Sequence, residues 1–248
     1  MSSISKFSER PFVAPALLLA LGFILAGSFI SNGLKALRDG GNTLTATGSA
    51  KQAVTSDIAK LRGDIVERVF QSDVQKGYAQ SDANTKILKE YIIAQGITDK
   101  EFTVSAPQIS EYYDYSNNGV QKPRQFEIRR TIQINSTNLN NVDKVANNLS
   151  TIATKGIFFQ SYGVEYYYSK LSDLRKELLK NATEDAKGRA TQIAKGTGDK
   201  IGNLKKASSG VVQVLAPNSQ EITDYGTYDT TTKEKEVSIT VKAEFRLK

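Results

Sequence analysis

The side chains that carry most protein chemistry are missing from this chain. It has no cysteine and no histidine, which removes disulfides, thiolate nucleophiles, Cys/His zinc sites and histidine-based triads. Three arrangements with chemical potential remain. The first is KGTGDKIG at residues 195–202, which mixes glycines and lysines as phosphate loops do. A phosphate loop precedes a helix and uses its N-terminus. This one follows a helical stretch and lacks a GK[ST] ending, so it reads as a helix stop and turn. The second is the acid pair Glu184 and Asp185. Neighbours on a helix point apart and no metal-ligand spacing surrounds them, so they read as a solvated face. The third is a concentration of tyrosines: Tyr112, Tyr113, Tyr115, Tyr162, Tyr166, Tyr167, Tyr168, Tyr225 and Tyr228. Aromatics interleaved with Lys and Arg stack on single-stranded nucleic acid or on sugars. Here the basic residues do not cluster with the tyrosines along the chain. Strand packing and an amphipathic subunit surface are favoured instead.

These readings leave no catalytic, cofactor-binding or metal-binding residue to assign, and the expectation is a non-enzyme without a cofactor. An enzyme would have to work through Ser/Lys or carboxylate chemistry, and nothing marks such a site. The net charge is +7. Part of it sits in Lys6, Arg10, Lys35 and Arg38, and the modest remainder reads as solubility rather than nucleic-acid binding.

The clearest soluble element is residues 171–199. Leu171, Leu174, Leu178, Ala182, Ala186, Ala190, Ile193 and Ala194 fall mostly at steps of three and four, one stripe on a helix. The stripe changes from Leu to Ala partway along, and small residues let a helix lie close against a sheet or another helix. Gly196 and Gly198 supply its stop.

Before it, residues 1–10 are polar and slightly basic. Residues 11–34 carry no charge and are long enough to cross a bilayer as a helix. Phe12, Leu17, Leu21, Phe23, Ile24 and Phe29 are its large apolar side chains. The apolar core exceeds that of a cleaved signal, so the segment reads as an uncleaved transmembrane anchor. A cleaved signal sequence is the alternative, since ILAGSFIS offers small residues to a peptidase. Basic residues flank both ends, so the positive-inside rule barely decides orientation. Residues 35–42 form a linker.

Strands are expected over 43–54, 57–70, 102–115, 125–135, 157–169, 201–216 and 236–247, and helices over 72–95 and 139–155. Gly96 and Gly156 stop the two helices. Val237, Ile239, Val241, Ala243, Phe245 and Leu247 alternate cleanly in the last strand. Residues 116–123 form a hairpin loop, and 217–235 a long polar loop. This order predicts an α+β fold: a mostly antiparallel sheet with packed helices over residues 43–248, plus the N-terminal transmembrane helix.

Taken together, these stretches resemble the SIMPL-domain family, also called DUF541. TATGSAKQAVTSDIAKL is similar to the family's opening strand, with Thr47, Gly48, Asp57 and Ala59 matching. Gly96 and Ile97 match its Gly-Ile segment, where Glu101 replaces the usual Asp. Tyr113, Tyr115, Phe126 and Tyr166 stand at its aromatic positions. In NATEDAKGRATQIAKGTGDKIGNL, Ala182, Asp185, Ala186, Ala190, Ala194, Gly198 and Gly202 match, while Arg189 and Ile193 depart conservatively. The resemblance implies a domain exported to the periplasm or cell envelope behind a signal or an inner-membrane anchor, able to build ring-like homo-oligomers, with loose links to stress tolerance. It carries no catalytic residues.

The functional expectation is a single-pass, membrane-anchored extracytoplasmic protein that self-assembles into a ring or pore-like scaffold, with Tyr166, Tyr167 and Tyr168 at or near a subunit contact. The alternative is an adaptor that binds an envelope protein or glycan through loops 116–123 and 217–235.

Overall fold

The computed structural model describes the backbone of residues 13–39, 42–113, 123–219 and 223–248, with side chains except those of 13–14 and 32–39. Residues 1–10, the anchor residue Phe12, Tyr115 and most of the 116–123 loop lie outside the described residues. So do residues 40–41 of the linker and residues 220–222 of the long loop. The described chain forms two compact units, one of Ala50–Leu179 with Val211–Ile239 and one of Met1–Ser49, Lys180–Gly210 and Thr240–Lys248. The architecture is α+β, with antiparallel sheets and packed helices.

The larger unit is built on strands β2 (Ile58–Phe70) and β5 (Gln125–Ser136), paired in unbroken register from Ala59↔Ser136 to Phe70↔Gln125. β6 (Phe159–Tyr167) joins the far side of β2, and β3 (Phe102–Val104) and β4 (Gln108–Tyr112) pair with the far side of β5. Alternation sends Ala59, Leu61, Ile65, Ile132 and Ile134 to one face. There they meet Leu88, Tyr91 and Ile92 of α2 (Val74–Ala94) and Val142 and Val145 of α3 (Leu139–Asn147). The Tyr91 hydroxyl donates to the carbonyl of Val145 at 3.0 Å, which satisfies the one polar atom that ring brings inside. Asn138 caps α3 by accepting from the Asn141 N–H. Gly96 and Gly156 take the left-handed conformation, at φ 87° and 79°, and end their helices as the sequence indicates.

Three elements expected whole are broken. The strand over 102–115 is two strands, because Pro107 cannot donate to the ladder. At the break the Ser105 hydroxyl accepts from the Thr131 N–H, and the Ser105 N–H donates to the Thr131 carbonyl. The helix over 139–155 stops at Asn147 and resumes as α4, Ser150–Ala153. The strand over 201–216 is β7 (Ile201–Ser209) and β8 (Gln213–Leu215), each pairing a different part of β9 (Glu234–Leu247).

In the smaller unit β9 lies between β1 (Thr43–Thr55) and β7. The cleanly alternating last strand is therefore an inner strand. Ala243 and Phe245 of β9 pack with Ala46 and with Ala186 and Ala190 of α5 (Leu171–Thr197). The alanine stripe holds, with Ala182, Ala186, Ala190 and Ala194 all buried. Ile193 leaves it and is half exposed, because the buried positions recur at strict four-residue steps. Gly48 sits where β1 meets this stripe. A Cβ there would lie 2.2 Å from the Ala182 carbonyl oxygen and 2.2 Å from the Ala186 nitrogen. Asp185 accepts the neighbouring Ser49 N–H at 2.8 Å and pairs with Arg189 at 2.9 Å.

Helix α1 (Val13–Asp39) runs 27 residues. Its described side chains, residues 15–31, are all exposed. Among the described residues no helix is long and apolar enough to cross a membrane.

Gly48→Ala is expected to lower stability by about 2 kcal/mol through overpacking, read as a shift in denaturation midpoint. Gly188→Ala, on the exposed side of α5 where a Cβ meets nothing within 4 Å, is expected to raise it by about 0.5–1 kcal/mol. Equal effects would show that strand and helix do not touch at Gly48.

Candidate functional site

The other face of the five-stranded sheet faces water, as antiparallel sheets commonly do on one side. Across β2 and β5 it sets Arg62 beside Gln133, Asp64 beside Thr131, Val66 beside Arg129 and Arg68 beside Glu127. Asp64 is only 2% exposed. It accepts hydrogen bonds from Arg129 Nη1 at 2.6 Å, Thr131 Oγ1 at 2.8 Å and the Tyr162 hydroxyl at 2.8 Å. Burial pushes its carboxyl up, but the bonds from Arg129, Tyr162 and Thr131 and the Arg129 charge outweigh it. The net result is a carboxyl held below the ordinary aspartate value. Glu127 accepts from the other Arg129 nitrogen and from Arg68 Nε at 3.4 Å.

Around this network, cations lie over aromatic rings. Arg68 is 4.3 Å from the Tyr112 ring, Lys60 4.5 Å from Tyr167 and Arg62 5.8 Å from Tyr162. These pairs are not visible along the sequence, because each cation is on β2 and each tyrosine on another strand. Tyr162 owes its place to a β-bulge: the β2–β6 register shifts between Leu61 and Gly63, and Gly163 has φ 92°. Gly63 is required there, since a Cβ would lie 2.2 Å from the Phe159 ring. Beside the bulge is a hollow of about 420 Å³ lined by Lys60, Arg62, Gln133, Tyr162, Gly163 and Glu165.

The three tyrosines expected at a subunit contact have partners within the unit. Tyr166 turns into the core and donates to Asp143, and burial pushes its phenol up to about 12. Tyr167 stacks on Tyr228 with centroids 5.7 Å apart, and the Tyr168 N–H donates to the Tyr228 hydroxyl. Tyr228 belongs to the described second half of the long loop, which is a strap rather than a free segment. Its Thr230 carbonyl accepts the Tyr166 N–H on the edge of β6, and its Lys233 carbonyl accepts the Ser56 N–H.

Lys235 fastens the strap. Its side chain is fully buried, and it donates to the carbonyls of Asp229 and Thr232 at 2.5 and 2.7 Å. The Asp229 carboxylate lies 3.4 Å away and also accepts from the backbone and hydroxyls of Thr231 and Thr232. Burial pushes the Asp229 carboxyl up, but the threonine bonds and the Lys235 charge bring it far below the usual range. Burial pushes the Lys235 ammonium down, and Asp229 partly restores it. Composition alone assigns a lysine to the surface, so the sequence carried no signal for this clip beyond the TYDTTTKEK turn chemistry. Among the described residues no group of three acids could hold a metal ion.

A family model described as SIMPL, protein of unknown function (DUF541), matches residues 44–245. The chain belongs to the SIMPL family. No curated protein matches it. The matched positions have structural work in this SIMPL domain. Gly48 and the alanines set the strand–helix approach, and Asp185 satisfies a β1 N–H. Asp57 accepts both the N–H and the hydroxyl of Ser169, at 2.7 and 2.6 Å, just before α5. At the position where Glu101 replaces the usual Asp, its carboxylate makes a capping box with Thr98 and accepts from Ser136.

Lys235→Met should cost about 3 kcal/mol, because it leaves Asp229 and two carbonyls buried without their cation. The check is hydrogen exchange at Tyr166, whose protection should fall as the strap loosens. Unchanged protection would mean that the strap holds without its clip.

Proposed function

We propose that this SIMPL protein is a non-enzymatic, membrane-tethered scaffold. In this reading α1 lies in the inner membrane, residues 43–248 stand outside the cytoplasm, and copies associate into a closed ring or pore-like homo-oligomer. The observation that carries the tether is the surface of α1. Leu17, Leu21, Phe23, Ile24 and Phe29 are each 60–77% exposed and lie all round the helix. Such a helix is stable only when something apolar covers it. In the sequence, the uncharged run of residues 11–34 is long enough to cross the roughly 30 Å hydrocarbon core as a helix at about 1.5 Å per residue. The orientation leans on the family resemblance.

Assembly has support from the faces of the larger unit rather than from strand edges. The β6 edge is bonded to the strap, and the β7 edge has two register shifts and exposed Lys205 and Lys206, devices that discourage edge pairing. Phe158, in contrast, is 79% exposed beside an apolar hollow of about 440 Å³ lined by Val66, Leu149, Ala153 and Ile157. A second copy of the chain is the proposed occupant. Tyr167 and Tyr168, half-buried beside the strap, lie at the other end of β6 from Phe158. The non-enzymatic reading is supported by the polar cluster around Asp64, whose carboxylate oxygens are already occupied by protein donors.

Protease added to intact spheroplasts should digest residues 43–248, and full protection until the membrane ruptures would contradict the orientation. The detergent-extracted chain should have a mass several times 27.2 kDa, reduced by Phe158→Asp. A monomer at every concentration would reject assembly.

A further inference from the structure

The water-facing side of the five-stranded sheet neutralises its own cations with two exceptions. Arg129 is held by Asp64 and Glu127, Arg68 by Glu127 and Arg124 by Glu111. Lys60 and Arg62 form no ion pair among the described residues. They stand at successive same-face positions of β2, about 7 Å apart along the strand, and both line the 420 Å³ hollow. Glu165 lies opposite Lys60 in the register, but its carboxylate accepts the Tyr167 hydroxyl at 2.8 Å. With Glu165 counted, the hollow has one net positive charge.

We propose that this hollow binds an acidic saccharide through a single carboxylate. Lys60 and Arg62 receive the carboxylate, with Arg62 able to make the two-pronged contact that guanidinium favours. The Gln133 amide and the Glu165 carboxylate supply the donors and acceptors that sugar hydroxyls need. Tyr162 forms the wall, and its ring is fixed because its hydroxyl is committed to Asp64. Gly163 leaves that wall open, since a Cβ there would meet nothing within 4 Å. One net charge suits a carboxylate better than a phosphate dianion. Strand addition by a peptide is hindered at Tyr166, whose N–H already donates to the Thr230 carbonyl. Nucleic acid would need a longer stripe of uncompensated cations. Neither anchoring nor assembly is required for this binding.

The test is calorimetric titration of the full chain in detergent with trigalacturonate, maltotriose, acetate and an aspartate-rich hexapeptide. Trigalacturonate should bind, maltotriose and acetate should bind at least about tenfold more weakly, and Arg62→Gln and Lys60→Gln should each weaken trigalacturonate about tenfold. Both substitutions are on the surface, and an unchanged thermal midpoint confirms an intact fold. Replacing Arg68 by Gln, outside the hollow, should leave affinity within about twofold, as expected for a site without that contact. Absence of trigalacturonate binding, equal binding of maltotriose or acetate, tighter binding of the peptide, or indifference to both substitutions would each overturn the proposal.

Discussion

A carboxylate almost sealed from water on the wet side of a sheet is the constraint on which the larger unit turns. Asp64 draws donors from two neighbouring strands, Arg129 and Thr131 of β5 and Tyr162 of β6. Arg129 then orients Glu127, and Glu127 takes Arg68. A buried ion pair is weak evidence for stability, because desolvation offsets much of its attraction. What it supplies here is register. Sliding β6 by one residue would take Tyr162 from Asp64 and turn Val164 and Tyr166 away from the core. The bulge at Gly163 and the close approach at Gly63 fit only the observed alignment. One of the same bonds also fixes the Tyr162 ring that walls the hollow, so that wall is in place before any partner arrives.

Both units meet a second constraint, which is that strand edges and close approaches must be satisfied locally. The strap takes the Tyr166 end of the β6 edge, and its own turn is held by a lysine with no solvent access. In the smaller unit, a glycine and four alanines bring backbone to backbone, and Asp185 takes up a strand N–H that would otherwise be left open. The residues that tie the chain to the SIMPL family are largely these structural ones. Family membership therefore reports how the domain is built and leaves its chemistry to the positions that the family pattern does not fix.

Periodicity revealed the elements whose environment repeats. The alanine stripe of α5, the alternation of β9 and the glycine stops at Gly96 and Gly156 are each a local pattern with one physical cause. Where two causes compete, the pattern blurs. β2 shows mixed alternation because its outer face hides Asp64 and its inner face is interrupted at Gly63. The break at Pro107 was readable from proline's missing N–H, whereas the compensating bonds from Ser105 to Thr131 join residues far apart in sequence. The candidate site was the least legible part. Lys60, Arg62 and Arg68 meet Tyr167, Tyr162 and Tyr112 only through strand pairing, so their separation along the chain suggested no cluster. Lys235 looks like any exposed lysine until the turn at Asp229 closes over it.

Protein donors keep Asp64 ionised in spite of its burial, and its carboxyl carbon reports this directly. An ordinary aspartate is half-titrated near pH 4. A carboxyl whose folded value is depressed contributes stability that is fully present above that pH and is lost only as pH falls through the lower, folded value. Carbon-13 NMR of the Asp64 carboxyl between pH 2 and pH 6 should therefore find it still ionised at about pH 4, with the Tyr162 ring signals unchanged over the same range. A midpoint at or above about 4 would mean that burial wins over the three donors, and it would contradict the account of this face as a network ordered by a buried charge.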